Sequence, residues 1–243
     1  MKIEFYEEFP NKRNLEKLKL VKFKTRLFIA AKSIQEFQEF EKQVKKIKKG
    51  VEIAYWPIVE NSYWISPFSN TKDLIKLFKD LEKIDNHLLI DLELPLAKRW
   101  KMYFKNILHL KKNKKIIKEF MERNKKRITT AEYPLAFASK LMKFIGLNYN
   151  IKTEKSIMWY SSMMPKSFNK KIKKNLKNIK NKKTYSISLG TLAIGILGNE
   201  PVLLPKNLEK DLKFVREVGF DKAIIFRLEG INKEYIKIIN KFT

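Results

Sequence analysis

The feature that most restricts how this chain can fold is an alternation. Short runs rich in β-branched and aromatic residues recur at 2–9, 25–31, 51–58, 88–94, 127–133, 156–162, 184–190 and 222–228. Between them lie segments with apolar residues at helical spacing, such as 74–84, 116–124, 137–146 and 208–219. Gly146 and Gly219 stand where two of these helices should end. Eight such units with near-continuous apolar strands, in 243 residues, predict a closed parallel (β/α)8 barrel occupying 1–243 as a single domain. An open doubly wound sheet is the competing arrangement. It calls for a glycine-rich phosphate loop after the first strand, where this chain has "EEFPNKRN".

In such a barrel, binding and catalytic groups gather where the strands end, at the C-terminal face. Three runs finish with an acid, an apolar residue and proline: Glu8-Phe9-Pro10, Glu93-Leu94-Pro95 and Glu132-Tyr133-Pro134. A fourth, Tyr55-Trp56-Pro57, has aromatic residues in place of the acid. Proline ends the ladder, so the residue two before it should sit near the rim. Period two puts Asp91 on the same face as Glu93. The pattern predicts that Glu8, Asp91, Glu93 and Glu132 converge on one mouth, with Glu93, Asp91 and Glu132 as catalytic carboxylates and Glu8 as a substrate contact. Crowded and buried together, one acid would stay protonated beside an ionised neighbour, the arrangement that glycosidic bond cleavage requires.

Aromatic residues mark the same end. Tyr55, Trp56 and Trp64 lie in and after the third strand, and the sixth ends in Trp159-Tyr160. Flat rings of this kind stack on sugar faces. Arg227, near the end of the eighth strand, would hold an anionic substrate group or pair with a neighbouring glutamate.

Inventory removes other chemistries. With no cysteine there is no disulfide, thiolate metal site or cysteine nucleophile. Only two histidines are present: His87 opens the fourth strand at the opposite end, and His109 lies in a lysine-rich helical stretch. A catalytic triad or histidine zinc site is therefore not expected. What remains is carboxylate acid–base work, a Mg2+ held by those carboxylates, or a lysine acting as base or Schiff-base former. The last is weakest, since no lysine stands at a strand end, and no other cofactor is implied.

The net charge is +27, and it is uneven: residues 98–183 hold 26 Lys or Arg against four acids. Such a field attracts nucleic acid or another acidic polymer. The excess is almost all lysine, accompanied by abundant isoleucine and asparagine as under a compositional bias. Arginine, the better reader of bases and phosphates, is scarce. A carbohydrate or other small polar substrate is favoured over nucleic acid. The basic segment 165–183, with Phe168, Ile172, Leu176 and Ile179 along one side, reads as the sixth outer helix rather than a membrane-surface helix. The longest apolar run, 185–198, is too short and glycine-rich to span a bilayer, and the N-terminus lacks the core of a signal peptide. A soluble, cytoplasmic protein is expected.

Asp91-Leu92-Glu93 at the end of the fourth strand, together with Met158-Trp159-Tyr160 ending the sixth, resembles the family 18 chitinase barrels and their inactive lectin relatives. That family carries D-x-x-D-x-D-x-E on its fourth strand and Met-x-Tyr on its sixth. The resemblance implies that Glu93 is the proton donor, that Asp91 orients a substrate acetamido group, and that Tyr160 is set against the same group. Leu89 stands where the family has an earlier Asp, and the glycine near the strand start is absent. The expected function is that of a glycosidase-like hydrolase, the alternative a non-catalytic barrel that binds glycans or an anionic polymer.

Overall fold

The eight β-prone runs become eight strands, and the set closes on itself. In the computed structural model, which describes residues 1–94, 106–134 and 139–243, the strands are β1 (Lys2–Glu7), β2 (Arg26–Ala31), β3 (Glu52–Pro57), β4 (His87–Asp91), β5 (Ile128–Glu132), β6 (Glu154–Met158), β7 (Tyr185–Gly190) and β8 (Lys222–Phe226). All neighbours are parallel, and β8 returns to pair with β1. The rim role expected of Pro95 falls outside the described residues.

Helices separate the strands: α1 (Lys12–Leu15), α2 (Ile34–Ile47), α3 (Thr71–Leu81), α4 (Leu110–Asn124), α5 (Ser139–Ile145), α6 (Lys166–Lys177), α7 (Pro205–Glu217) and α8 (Lys233–Ile239). Their ends follow local chemistry. Ser33 and Asn70 cap α2 and α3 by accepting the backbone N–H of Glu36 and Lys72. Gly146 and Gly219 close α5 and α7 in the left-handed region, with φ of 80° and 95°. In α6, Ile172 and Leu176 are buried and Phe168 packs on the core, as does Ile179 just past its end, so its apolar stripe faces the barrel.

Both faces of each strand are covered, which is why the strands read as nearly continuous apolar runs. Outward-pointing residues such as Phe5, Leu27, Tyr55, Leu88 and Ile187 build the large core beneath the helices. Inward-pointing ones, among them Tyr6, Phe28, Trp56, Leu89, Met158 and Phe226, build a separate cluster inside the barrel. Period two sorts each strand between them.

The barrel interior is layered. At its N-terminal end Arg26 binds Glu154 at 3.1 Å and pairs with Glu52, Lys2 lies 2.7 Å from Glu4, and Lys222 also pairs with Glu154. His87 sits in this floor with Thr129 at 2.8 Å. Burial, then the Arg26 charge, lowers its pKa to about 4. Higher up, the hydroxyls of Tyr6, Ser156 and Ser188 form a closed hydrogen-bonded triangle of 2.5–3.1 Å. Above this belt the barrel opens into a pocket.

Candidate active site

The pocket occupies the C-terminal end of the barrel, with a volume of about 330 Å3. Its walls come from strand ends and the loops after them: Trp56 and Trp64 on one side, Met158 and Tyr160 on another, Phe226 and Leu197 on a third. Four carboxyl-bearing residues line it: Glu8, Asp91, Glu93 and Glu200.

Asp91 is the last residue of β4 and Glu93 follows two positions later, so both point inward, in phase with His87 and Leu89 below. The two side chains are hydrogen-bonded to each other, and Tyr133 donates its hydroxyl proton to Glu93 Oε2 at 3.0 Å. Burial, then the charges of Glu93 and Glu8, raises the pKa of Asp91 well above the carboxylate range. Burial also raises that of Glu93, opposed by the bonds from Tyr133 and Asp91. Two carboxyls in contact in a dry site cannot both ionise, so at neutral pH the pair holds a proton and titrates as a unit. The indole N–H of Trp56 favours the charged form of Asp91, although neither Trp56 Nε1 nor Asp91 Oδ1 reaches a partner at hydrogen-bond distance. Asp91 Oδ1 is thus a buried acceptor without a partner.

Glu8 lies just past the end of β1. Its Oε1 accepts from Tyr63 Oη at 2.8 Å, its Oε2 from the backbone N–H of Ile196 at 3.1 Å, and Arg227 lies 3.5 Å from Oε2. Burial raises its pKa to about 7 despite these partners. On the same loop Glu200 accepts the N–H of Leu197 at 3.0 Å. Gly195 fits between them because a Cβ there would lie 2.7 Å from Glu200 Oε1 and 2.8 Å from Glu8 Oε2. Glu8 therefore pins the β7–α7 loop against the pocket, and Glu200 braces the loop from within.

Four expected site residues lie elsewhere. Glu132 points out of the barrel, where it binds Lys155 at 2.6 Å and Asn148 at 2.9 Å. Tyr55 stacks on Phe37 of α2 at 4.6 Å, and its hydroxyl donates to the carbonyl of Ala31. Trp159 packs edge-on to Phe214 of α7 and donates to Asn169. The convergence of four acids thus reduces to three, and the reason is phase. In β4 and after β1 the acid of the acid-apolar-proline ending faces inward, whereas in β5 the middle residue does, so Tyr133 takes the place expected of Glu132. Trp56 likewise faces inward where Tyr55 does not. Arg227 is buried in ion pairs with Glu8 and Glu229 and stacks over Phe9 at 4.4 Å. It is engaged by its neighbours and is absent from the pocket wall. Trp56, Trp64 and Tyr160 do line the pocket.

The sequence offers Tyr133 only as the apolar member of its motif and places Glu200 near the seventh strand without a role, and it gives no sign of Ile196 and Leu197 in the seventh connection. Among the described residues, no group of three or more His, Asp or Glu side chains is arranged to hold a metal ion.

The closed (β/α)8 barrel is a fold that solved chitinase structures share. The C-terminal domain of a putative chitinase from Desulfitobacterium hafniense DCB-2 superposes with a TM-score of 0.61 at 9% identity, covering 100% of this chain and 97% of that one. A class V chitinase from Nicotiana tobaccum gives 0.54 at 12% identity, covering 100% and 99%. The spore cortex-lytic enzyme SleL from Bacillus megaterium QM B1551 gives 0.55 at 11%, covering 100% and 74%. At these identities the likeness is one of fold. No family model matches the sequence, and no curated protein is significantly similar to it.

Proposed function

We propose that this protein is a glycosidase-like hydrolase in which Glu93 is the general acid. The observation that carries this reading is the Asp91–Glu93 pair, two buried carboxyls in hydrogen-bond contact, opening onto a pocket with aromatic walls. A general acid must hold its proton at working pH, and burial beside a like group does that. Trp56, Trp64 and Tyr160 would stack on the sugar.

Asp91 and Glu93 are too close together to flank a scissile bond from opposite sides at the ~5 Å or wider spacing of two-carboxylate glycosidases. Glu132 faces away, and Glu8 has both oxygens occupied. The site therefore favours one acid unit, with the nucleophile supplied by the substrate. The chitinase resemblance supplies a candidate in the 2-acetamido group, which would meet the unpartnered oxygen of Asp91 and the Tyr160 hydroxyl. The substrate class is then a 2-acetamido glycoside.

The second reading, a glycan-binding barrel without turnover, draws on Leu89, an apolar residue inside the barrel one step below Asp91 where the family has an acid. One experiment separates the two: hydrolysis and binding of a soluble chromogenic N-acetylhexosaminide oligomer by wild type and Glu93→Gln. The hydrolase reading expects turnover by the wild type and loss of at least a thousandfold in kcat in the variant, with binding kept. A variant as active as wild type removes Glu93 from the role, and binding without turnover by the wild type establishes the second reading.

A further inference from the structure

The placement of exposed apolar side chains is one-sided. Among the described residues, nine large hydrophobic side chains are exposed, and all belong to connections at the mouth end. Phe9 follows β1, and Ile107 and Leu108 precede α4, Leu108 being 89% exposed. Leu141 and Phe144 lie on α5, which is held at this end: Lys114 of α4 binds the carbonyl of Phe144, and Gly146 packs on Pro67 of the β3–α3 connection. The other four, Ile194, Leu197, Val202 and Leu204, share the β7–α7 loop. That loop is pinned by Glu8 through the N–H of Ile196 and braced internally by Glu200 through the N–H of Leu197, so these aliphatic groups are presented by an anchored backbone.

The charge at this end is a second, independent observation. Outer helices start at the mouth, and helix N-termini favour acids. Yet α1, α4, α6 and α7 have no acid in the first turn. Exposed cations stand there instead: Lys12, Arg13, Lys111, Lys112, Lys166 and Lys206. Among the described residues none of these forms an ion pair with a carboxylate. Cations set against the helix dipole call for an anionic partner, and aliphatic groups among them call for one that also accepts hydrocarbon. A polyanion in water meets the first demand only.

We infer that the mouth end of the barrel docks on an anionic lipid surface, with the β7–α7 loop entering the headgroup region and the surrounding lysines on the lipid charges. No helix among the described residues is long and apolar enough to cross a membrane, so this contact is peripheral. Binding is read without turnover, so the inference stands apart from the hydrolase reading.

The test is sedimentation with vesicles of phosphatidylcholine alone or with phosphatidylglycerol at about one third, over a range of salt. Wild type should bind the anionic vesicles at least tenfold more tightly than the neutral ones. The triple variant I194N/V202N/L204N should lose at least tenfold of that affinity, with an unchanged melting temperature showing that it is folded. A second basic cleft lies at the opposite end, lined by Lys125, Lys126, Lys152, Lys180 and Lys183. The double variant K152E/K183E should bind as wild type does. Failure of wild type to bind anionic vesicles, equal binding by the triple variant, or loss confined to K152E/K183E would overturn the inference. So would a dimer in solution that the triple variant dissociates, since a second copy would then cover the face.

Discussion

Replacing Tyr133 by phenylalanine removes one hydroxyl, the one that donates to Glu93 Oε2 at 3.0 Å, and leaves the ring in the pocket wall. That bond stabilises the ionised form of Glu93, so its loss favours the protonated form and raises the pKa of the pair. A hydrogen bond to a charged group is worth about 1.5–3 kcal/mol, and Tyr133 is half-buried, which places it near the lower figure. At about 1.4 kcal/mol per pKa unit, the shift is about one unit upward. In a profile of kcat/KM against pH on a chromogenic glycoside, the basic limb reports deprotonation of the free enzyme's general acid. Tyr133→Phe should move that limb up by about one unit and leave the acidic limb in place. An active variant whose basic limb stays put, or moves down, would refute the assignment of the acid to this pair.

The outward position of Glu132 gives a contrasting expectation. Glu132→Ala leaves Lys155 without its buried carboxylate, a loss of about 3 kcal/mol, or roughly 6–12 °C in melting temperature for a chain of this size; kcat at a permissive temperature should be unchanged, and a fall in kcat without a fall in melting temperature would return Glu132 to the catalytic set. Gly195→Ala should drive the β7–α7 loop off Glu8 and disturb its internal contact with Glu200, lowering both thermal stability and kcat/KM, and a neutral outcome would show that the loop relaxes freely. Stability should fall as pH rises from 4.5 to 7, because Glu7 and Glu8 bind protons more tightly folded than unfolded, their pKa being raised to about 7 by burial. His87, lowered to about 4, opposes this below pH 6.5 but is one group against Glu7, Glu8 and the raised Asp91–Glu93 pair, so melting temperature should be higher at pH 5.5 than at pH 8, and the reverse order would contradict the buried state of these acids. If the carboxyl pair works by its proton, a chelator should leave activity intact, and loss of activity restored by Mg2+ would point to a cation held there.

The barrel was legible because its signal is local and repeated. Each strand is buried on both faces and each helix on one stripe, and both patterns survive in a single sequence. The phase of a strand within the barrel is a different kind of quantity. Glu93-Leu94-Pro95 and Glu132-Tyr133-Pro134 are alike along the chain, but the stagger between neighbouring strands turns one acid inward and the other outward. Where a strand carried an independent marker the face could be read: Leu88 and Ile90 are plainly apolar, and Asp91 and Glu93 had to share the other side with Leu89. Strand β5, with threonines on both faces, carried no such marker. The partners of Glu8 were out of reach for another reason. Tyr63 and Ile196 arrive from irregular loops about 55 and 188 residues away, and no periodicity encodes that meeting. The charged floor was equally hidden, since Glu4 and Arg26 read as ordinary strand-end charges until the strands are arranged in a ring.

That floor has a bearing on how the ring comes to be closed. Its charges are Lys2, Arg26 and Lys222 against Glu4, Glu52 and Glu154, with His87 neutral, so the layer balances to zero only when β8 has delivered Lys222. A partial barrel that lacks its last strand would leave an uncompensated carboxylate inside, which is costly. The layer therefore acts as a check on strand count, penalising seven-stranded intermediates and swapped assemblies that fail to seat β8 between β7 and β1.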